Sequence, residues 1–439
     1  MNMQNPLQKL ADAVSALENS PARKQLQQFF DEGTFVEIDR LACDGDKPAE
    51  AVAGYGMVDG TPVYAYAQDH EVCRGAVGKA QAAKICKVYE LAAQNGAPVV
   101  GVFDSDGAKL AEGLDAMDAI AEILLQSNAL SGVVPQIAVI TGSCVGTAAL
   151  IAATADIVVA AKEADYYLNV GDDNASADIV VEDAQAALAK ARELLAYLPS
   201  NNLAVPVAYE FDGAAMAACD SIENVLEAVA DADTVVNVGK ESSCVSMAFA
   251  RVGGTACGLV ALKGDKVCGG SASRAARFVR LCDSFSIPVL TFVDAAGFQC
   301  LKSAAKLSQA YAEATTAKIS VIVGKAYGPV YIAVAGKKAG ADAVLAWPTA
   351  VISPLAPETA IHILWQDRLA EMTDPTTERA KLAEEYAQTE CSPLSAAAAG
   401  FVTDVVEPAE TKSKLIAMLD MLSGKRVSRL PKKHSNIQL

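Results

Sequence analysis

An α/β chain built as a tandem duplication of one parallel-sheet unit is the fold class this sequence predicts. Three observations carry it. Short Val/Ile-rich runs of strand length alternate with helical stretches, which marks βαβ units. Two such stretches repeat the same landmarks in the same order, roughly 180 to 190 residues apart, too long for a solenoid period and suited to a duplicated domain. Ala, Val and Gly dominate the composition and aromatics are few, as in many α/β enzymes.

The first copy opens with "PVVGVFDSDGAKLAEG", a Pro and a β-branched run ending at Asp104-Ser105-Asp106-Gly107. The second opens with "PVLTFVDAAGFQCLKS" and ends at Asp294-Ala295-Ala296-Gly297. Each continues through a helical stretch to a second strand, "PQIAVITG" or "ISVIVG", that ends at Gly142 or Gly324. A further glycine follows four residues on, Gly146 or Gly328, and opens a helix of small residues. Ala-Asp then precedes a third strand, at Ile157 and at Ala343. Between the copies, residues 174–204 read as helical, with "VEDAQAALAKARELLAYL" at helical spacing before Pro199. "DGAAMAACDSIENVLEAVADAD" reads as a second, acidic helical region. The natural division gives domains 1–210 and 211–439. The C-terminal "PLSAAAAGFVTDVVEPAETKSKLIAMLDMLSGKR" reads as helix, short strand and helix, and the basic tail "RLPKKHSNIQL" as extended.

The formal net charge of -17 argues against nucleic acid or anionic membrane surfaces as partners. The 11 cysteines are scattered with no C-x-x-C pair, so a zinc ribbon or redox pair is not expected and a reducing, cytoplasmic setting is. The polar, amphipathic N-terminus is not a secretory signal, and no apolar run approaches the roughly 20 residues of a membrane span. Without a G-x-S-x-G elbow or a G-x-x-x-x-G-K-[ST] loop, serine hydrolysis and direct ATP chemistry are set aside. His70, His362 and His434 are not paired at ligand spacing, so no metal site is expected. Glu112 and Glu358 read better as satisfied structural carboxylates than as an acid or base.

The glycines carry the chemistry. G-x-x-x-G at a strand-to-helix turn exposes backbone N–H groups, and such donors aimed at a carbonyl oxygen form an oxyanion hole. Gly142-Ser143-Cys144-Val145-Gly146-Thr147 supplies one turn and Gly324 to Gly328 the other, with donors from the Gly107 and Gly297 turns beside them. Tight helix–sheet packing is the competing reason for the same glycines.

These residues, with "FFDEGTFVEI", "GYGMVDGTPVYAYAQDHEVCRGAVG", "LLAYLPSNN", "FARVGG", "SRAARFVRLCDSFSIPVLTFVDAAGF", "LSQAYAEAT", "KAYGPVYIA", "GADAVLAWPTA" and "RLPKKHSNI", stand in the order of a known family. The chain resembles the carboxyltransferase subunits of biotin-dependent acyl-CoA carboxylases and decarboxylases, of the propionyl-CoA carboxylase beta and methylmalonyl-CoA decarboxylase alpha type. The resemblance implies two crotonase-like domains, the N-terminal one for acyl-CoA and the C-terminal one for carboxybiotin. The family's active site lies between domains of different subunits, which implies a homo-oligomer, a dimer or a trimer of dimers. It also implies a separate biotin carboxyl carrier protein, since no A-M-K-M motif occurs here, and either a biotin carboxylase or a membrane decarboxylase subunit as partner. The implied chemistry is release of carbon dioxide from carboxybiotin, proton abstraction by the ureido anion and attack by the thioester enolate. Two oxyanion holes stabilise those charges. By position, Gly146 and Thr147 match the acyl-CoA hole, with Gly107 and Ala108 near it. Gly328, Pro329 and Val330 match the biotin hole, where Gly297, Phe298 and Tyr327 also fall and Ile332 lines the pocket.

Four departures from the family pattern accompany this. Pro329 stands where the family's K-A-Y-G-G-A-Y has its second glycine, so one donor is missing. "DSDGAK" replaces D-S-G-G-A-R and puts the Asp106 charge near the thioester side. "SCVGTA" replaces C-A-G-G-A, and the family's glycine-rich insert after "VD-x-x-GF" is absent. They motivate a second expectation, a non-catalytic scaffold subunit. A crotonase-type hydratase fits the fold but neither the tandem length nor the motif set.

Overall fold

The computed structural model describes residues 5–45, 47–175, 177–211, 213, 215–239, 242–370 and 375–437. The chain divides into two compact units, Met1–Ala204 and Val205–Leu439.

In the first unit the sheet runs β1 (Val36–Ile38), β2 (Ala51–Val58), β3 (Thr61–Gln68), β4 (Val99–Ser105), β5 (Gln136–Val145), β6 (Ile157–Ala161) and an edge strand β8 (Ile179–Val181), with β7 (Asp165–Tyr167) pairing the far end of β5. The first three strands are antiparallel and the rest parallel. The second unit repeats this plan strand for strand. Its order is β9 (Val236–Asn237), β10 (Val245–Val252), β11 (Thr255–Gly264), β12 (Val289–Ala295), β13 (Lys318–Tyr327), β14 (Ala343–Ala346) and β16 (Asp404–Val405), with β15 (Val351–Ser353) pairing the end of β13. The central strands are near-continuous runs of buried Val, Ile, Leu and Ala, because helices cover both faces of a parallel sheet. Each unit has its own core. Tyr66, Phe103, Ile123 and Ile140 lie in the first; Phe292, Ile319, Leu345 and Trp347 lie in the second.

Duplication extends to an irregularity. β4 and β5 pair from Val99↔Gln136 to Phe103↔Ile140, then resume at Ser105↔Cys144. β12 and β13 pair from Val289↔Lys318 to Val293↔Ile322, then resume at Ala295↔Ala326. In both copies the second strand bulges at its glycine and continues, so it ends at Val145 and Tyr327 rather than at Gly142 and Gly324.

Two helical expectations are corrected. Among the described residues of 174–204 only Ala184–Leu195 is helical, capped by Asp183, whose carboxylate accepts from the Ala186 N–H at 2.7 Å. Ile179–Val181 is instead a strand closing the edge of the sheet. Of the acidic stretch beginning at Asp212, only Val225–Val229 is helical, and Asp212 and Ala214 lie outside the described residues. The other described alanines there are too small to bury much surface, and helix propensity alone does not offset the cost of ordering them. The C-terminal reading holds: helix Pro393–Ala398, strand Asp404–Val405 and helix Thr411–Leu422.

Candidate active site

Two equivalent turns, one per unit, carry the sequence-predicted residues. Each is built on an aspartate. Asp104 Oδ1 accepts from the Ser143 N–H at 3.0 Å, and Asp294 Oδ1 accepts from the Lys325 N–H at 2.8 Å. These carboxylates fill the bulges and occupy the space a Cβ would need at Gly142 and Gly324, so both positions require glycine. Burial pushes the Asp104 carboxyl above its usual range, against the pull of the Ser143 N–H and His70. His70 Nδ1 lies 3.1 Å from Asp104 Oδ1 without hydrogen-bond alignment.

After the bulge the chain reverses at a glycine with positive φ, +60° at Gly146 and +37° at Gly328. The amides of these two glycines are spent within their own units. Gly146 N–H donates to Tyr167 O at 2.9 Å, and Gly328 N–H donates to Ser353 O at 2.8 Å. Each glycine therefore shapes its turn, and the next residue begins the helix. In the first unit that residue is Thr147, at the N-terminus of helix Thr147–Ala153, where an N–H has no intrahelical acceptor. Its equivalent in the second unit is Pro329, which has no N–H to offer.

The neighbouring loops supply a second donor by the same logic in both halves. Val77 N–H donates to Gly107 O at 2.7 Å and Val77 O accepts from Lys109 N–H at 2.9 Å. Alternate residues of an extended segment point their amides to opposite sides, so Ala108 N–H faces away and makes no hydrogen bond among the described residues. In the second unit Val267 holds Gly297 and Gln299 at 2.9 Å each, leaving the Phe298 N–H likewise unspent.

The two turns differ in how closely their parts approach. A Cβ on Gly107 would lie 3.0 Å from Val145 O and 3.7 Å from the Thr147 N atom, so Ala108 and Thr147 share one cradle. Gly107 takes φ +98° to allow this. Thr147 Oγ1 is buried there with no hydrogen-bond partner. A Cβ on Gly297 would meet nothing within 4 Å but Asp265 O, at 3.8 Å, so the second cradle is wider. Val330 is fully buried, and Tyr331–Ala335 forms a wide π-type turn in place of a regular helix. Burial, then the Glu358 and Asp294 charges, push the half-buried Tyr327 hydroxyl up to about 12. Ile332 is 70% exposed, beside the turn and outside the core.

The charge brought in by Asp106 is not left alone. Arg74 Nε pairs with its carboxylate, and Arg74 O accepts from the Asp106 N–H at 3.1 Å. Arg74 reaches it from a loop where Cys73 and Arg74 both have positive φ, +50° and +58°. Glu112 is a structural carboxylate: it accepts from the Lys79 N–H at 2.8 Å, at the start of helix Lys79–Asn95, and pairs with Lys109 at 3.2 Å. The sequence marks Asp104 and Asp294 as landmarks of the repeat, an Asp three residues before Gly107 and again before Gly297, but not their place under the bulges.

The donor pair of the first unit, Ala108 and Thr147, suits an acyl oxygen that gains charge. Among the described residues no group of three His, Cys, Asp or Glu side chains is placed to hold a metal ion.

The chain is similar to known proteins over nearly its whole length. The carboxyl transferase domain model matches residues 19–173 and 169–437. The chain is 34% identical to the methylmalonyl-CoA decarboxylase subunit alpha of Propionigenium modestum, over 95% of this chain and 93% of that protein. It is 35% identical to the propionyl-CoA carboxylase carboxyltransferase subunit of Haloferax mediterranei, over the same shares of 95% and 93%. The transcarboxylase 12S structure, a hexamer with methylmalonyl-coenzyme A and methylmalonic acid bound, superposes with a TM-score of 0.92 at 29% identity, covering 100% of this chain and 99% of that one. The duplicated sheets, the paired bulges and these matches over nearly the full length give one conclusion: the chain belongs to the carboxyl transferase domain family, as a carboxyltransferase subunit of the kind found in acyl-CoA carboxylases and decarboxylases.

Proposed function

We propose that this chain moves a carboxyl group between carboxybiotin, carried on a separate protein, and an acyl-CoA. The observation that supports this reading best is the cradle of the first unit, where the unspent Ala108 and Thr147 amides converge beside an unpartnered Thr147 hydroxyl. Those donors fit a thioester oxygen, whose charge grows as the α-proton leaves. Carboxybiotin supplies the carboxyl group and, once decarboxylated, the base. In the second unit the Phe298 and Val330 N–H groups are the donors this reading assigns to the ureido oxygen, with Gly297, Tyr327, Pro329 and Ile332 forming its pocket. Gly146 and Gly328 hold the turns in shape and Asp104 and Asp294 support the bulges.

The reading includes a biotin carboxyl carrier protein and either a biotin carboxylase or a membrane decarboxylase subunit as partners. It places the chain in the cytoplasm as a homo-oligomer, a dimer or a trimer of dimers. No helix among the described residues is long and apolar enough to cross a membrane. The Arg74–Asp106 pair supports catalysis over scaffolding, because it offsets the Asp106 carboxylate, which would otherwise oppose a growing negative charge next to Ala108.

The test is turnover. Purified chain with free biotin and methylmalonyl-CoA, or the malonyl- or glutaconyl- analogue, is expected to release carbon dioxide and the shortened acyl-CoA. Tight acyl-CoA binding without turnover of any of the three would instead establish the scaffold role.

A further inference from the structure

The rim of the second cradle carries a thiol cluster that carboxyl transfer does not use. Cys268 directly follows Val267, the residue that holds Gly297 and Gln299, and it forms the N-cap of the 16-residue helix Gly269–Ser284. Its Sγ lies 3.1 Å from Ser271 Oγ. Ser271 Oγ also receives Arg274 Nη2 at 3.2 Å and exchanges a hydrogen bond with Ser242 at 2.8 Å. Cys244 Sγ accepts from the Cys268 N–H at 3.3 Å and lies 3.3 Å from Ser242 Oγ. Cys268 is half-buried and reachable, whereas Cys244 is 7% exposed behind it. The Ser271 hydroxyl and N–H, with Cys244 and Arg274, bring the Cys268 thiol down to about 7. Burial pushes Cys257 and Cys282, in the same unit, the other way.

We propose that Cys268 and Cys244 form an oxidant-reactive dithiol, in which Cys268 takes a hydroperoxide and Cys244 resolves the product to an intramolecular disulfide. The Cys268 thiolate attacks the peroxide, the O–O bond breaks, and a sulfenic acid forms as hydroxide or alkoxide leaves. Cys244, giving up its proton, attacks the Cys268 sulfur; the S–O bond breaks and water leaves. Both thiols are oxidised by two electrons in total, and the peroxide is reduced to water and an alcohol or a second water. Cys300, at the N-cap of helix Leu301–Glu313, is the competing partner: a Cβ on Gly269 would lie 3.5 Å from its Sγ. It makes no contact with Cys268 comparable to that of Cys244.

A bond at Cys268 pulls on Val267 and so on the direction of the Phe298 amide. That consequence rests on the proposed function; the thiol chemistry does not. The test uses the reduced full-length chain, one equivalent of hydrogen peroxide, alkylation of remaining thiols and non-reducing peptide mapping. The expected product is a Cys244–Cys268 cross-linked peptide, lost on treatment with dithiothreitol. At pH 7 the reduced Cys268 should react with an alkylating probe roughly four-fold faster than free cysteine, since its greater thiolate fraction outweighs its lower nucleophilicity. In Cys244→Ala, Cys268 should stop at a sulfenic acid trapped by dimedone, and Cys268→Ser should give neither product. A Cys268–Cys300 link, or oxidation of exposed Cys43 while Cys268 stays reduced, overturns the assignment. The mapping reads peptides, so it stands or falls whether or not the chain turns over acyl-CoA.

Discussion

Replacing Pro329 with glycine or alanine adds back the one backbone donor that the second cradle lacks. The first cradle has two unspent amides, Ala108 and Thr147; in the second, Gly328 N–H is held by Ser353 and Pro329 has none, which leaves Phe298 and, one residue past the proline, Val330. A well-placed oxyanion donor is worth about 10²–10³ in kcat, ~3–4 kcal/mol. The second cradle is wider: no atom of residues 327–330 comes within 4 Å of a Cβ at Gly297, against 3.7 Å from Gly107 to Thr147 N. The new amide is therefore farther from its partner, and the expected gain is nearer 10-fold. Removing proline frees the unfolded chain, which costs about 1 kcal/mol and lowers Tm by about 2–4 °C. The assay is turnover of methylmalonyl-CoA with free biotin, with kcat and the KM for each substrate measured separately. Both variants should raise kcat, alanine with the smaller loss of Tm, and leave the acyl-CoA KM within two-fold or so of wild type. If Tm falls as described and kcat does not rise in either variant, the biotin oxygen does not sit at this turn and the reasoning fails.

Two further outcomes follow from charge placement. Arg74→Gln leaves the Asp106 carboxylate unpaired beside Ala108, so kcat should fall roughly ten-fold, and adding Asp106→Asn should restore most of it; no recovery in the double variant would show that Arg74 acts some other way. Lys318 is buried, and that burial, with Lys425 nearby, brings its ammonium down to about 8 while two carbonyls, Tyr311 O and Ala314 O, take its hydrogen bonds at 2.6 Å. Between pH 8 and about 10.5 the unfolded chain holds this proton and the folded one does not, so Lys318 makes stability rise with pH across that window and cost most below it. The difference in Tm between wild type and Lys318→Met should change in favour of wild type from pH 8 to 10; a constant difference would remove the claim.

Much of the fold was legible because buried parallel strands must be continuous apolar runs and because duplication repeats its landmarks. Pro-strand-Asp-x-x-Gly, strand, Gly-x-x-x-Gly and Ala-Asp-strand appear in both halves, and both sheets follow that order. The long helix expected in 174–204 and the acidic one after it were not legible. Ile179–Val181 becomes a strand only because the edge of β6 is there to pair with, and the alanines before Val225 have no face to bury. Glycine at 146 and 328 was rightly read as a turn residue, but which amide points outward depends on strands β7 and β15, whose Tyr167 and Ser353 carbonyls capture the glycine N–H groups. No local pattern announces those three-residue strands. The equivalence of Thr147 with Pro329, by contrast, is given by the sequence, since each follows the second glycine of its repeat.

Thr147→Pro, measured beside Thr147→Val, probes the backbone cradle most directly. Proline is tolerated at a first helical position, and Gly328-Pro329 shows that this turn accepts it. The valine variant removes the unpartnered hydroxyl and keeps the N–H. With the fold intact by Tm, Thr147→Pro should lose about 10²–10³ in kcat for decarboxylation of methylmalonyl-CoA, and Thr147→Val should keep most of its activity. Full activity in the proline variant would contradict the cradle outright.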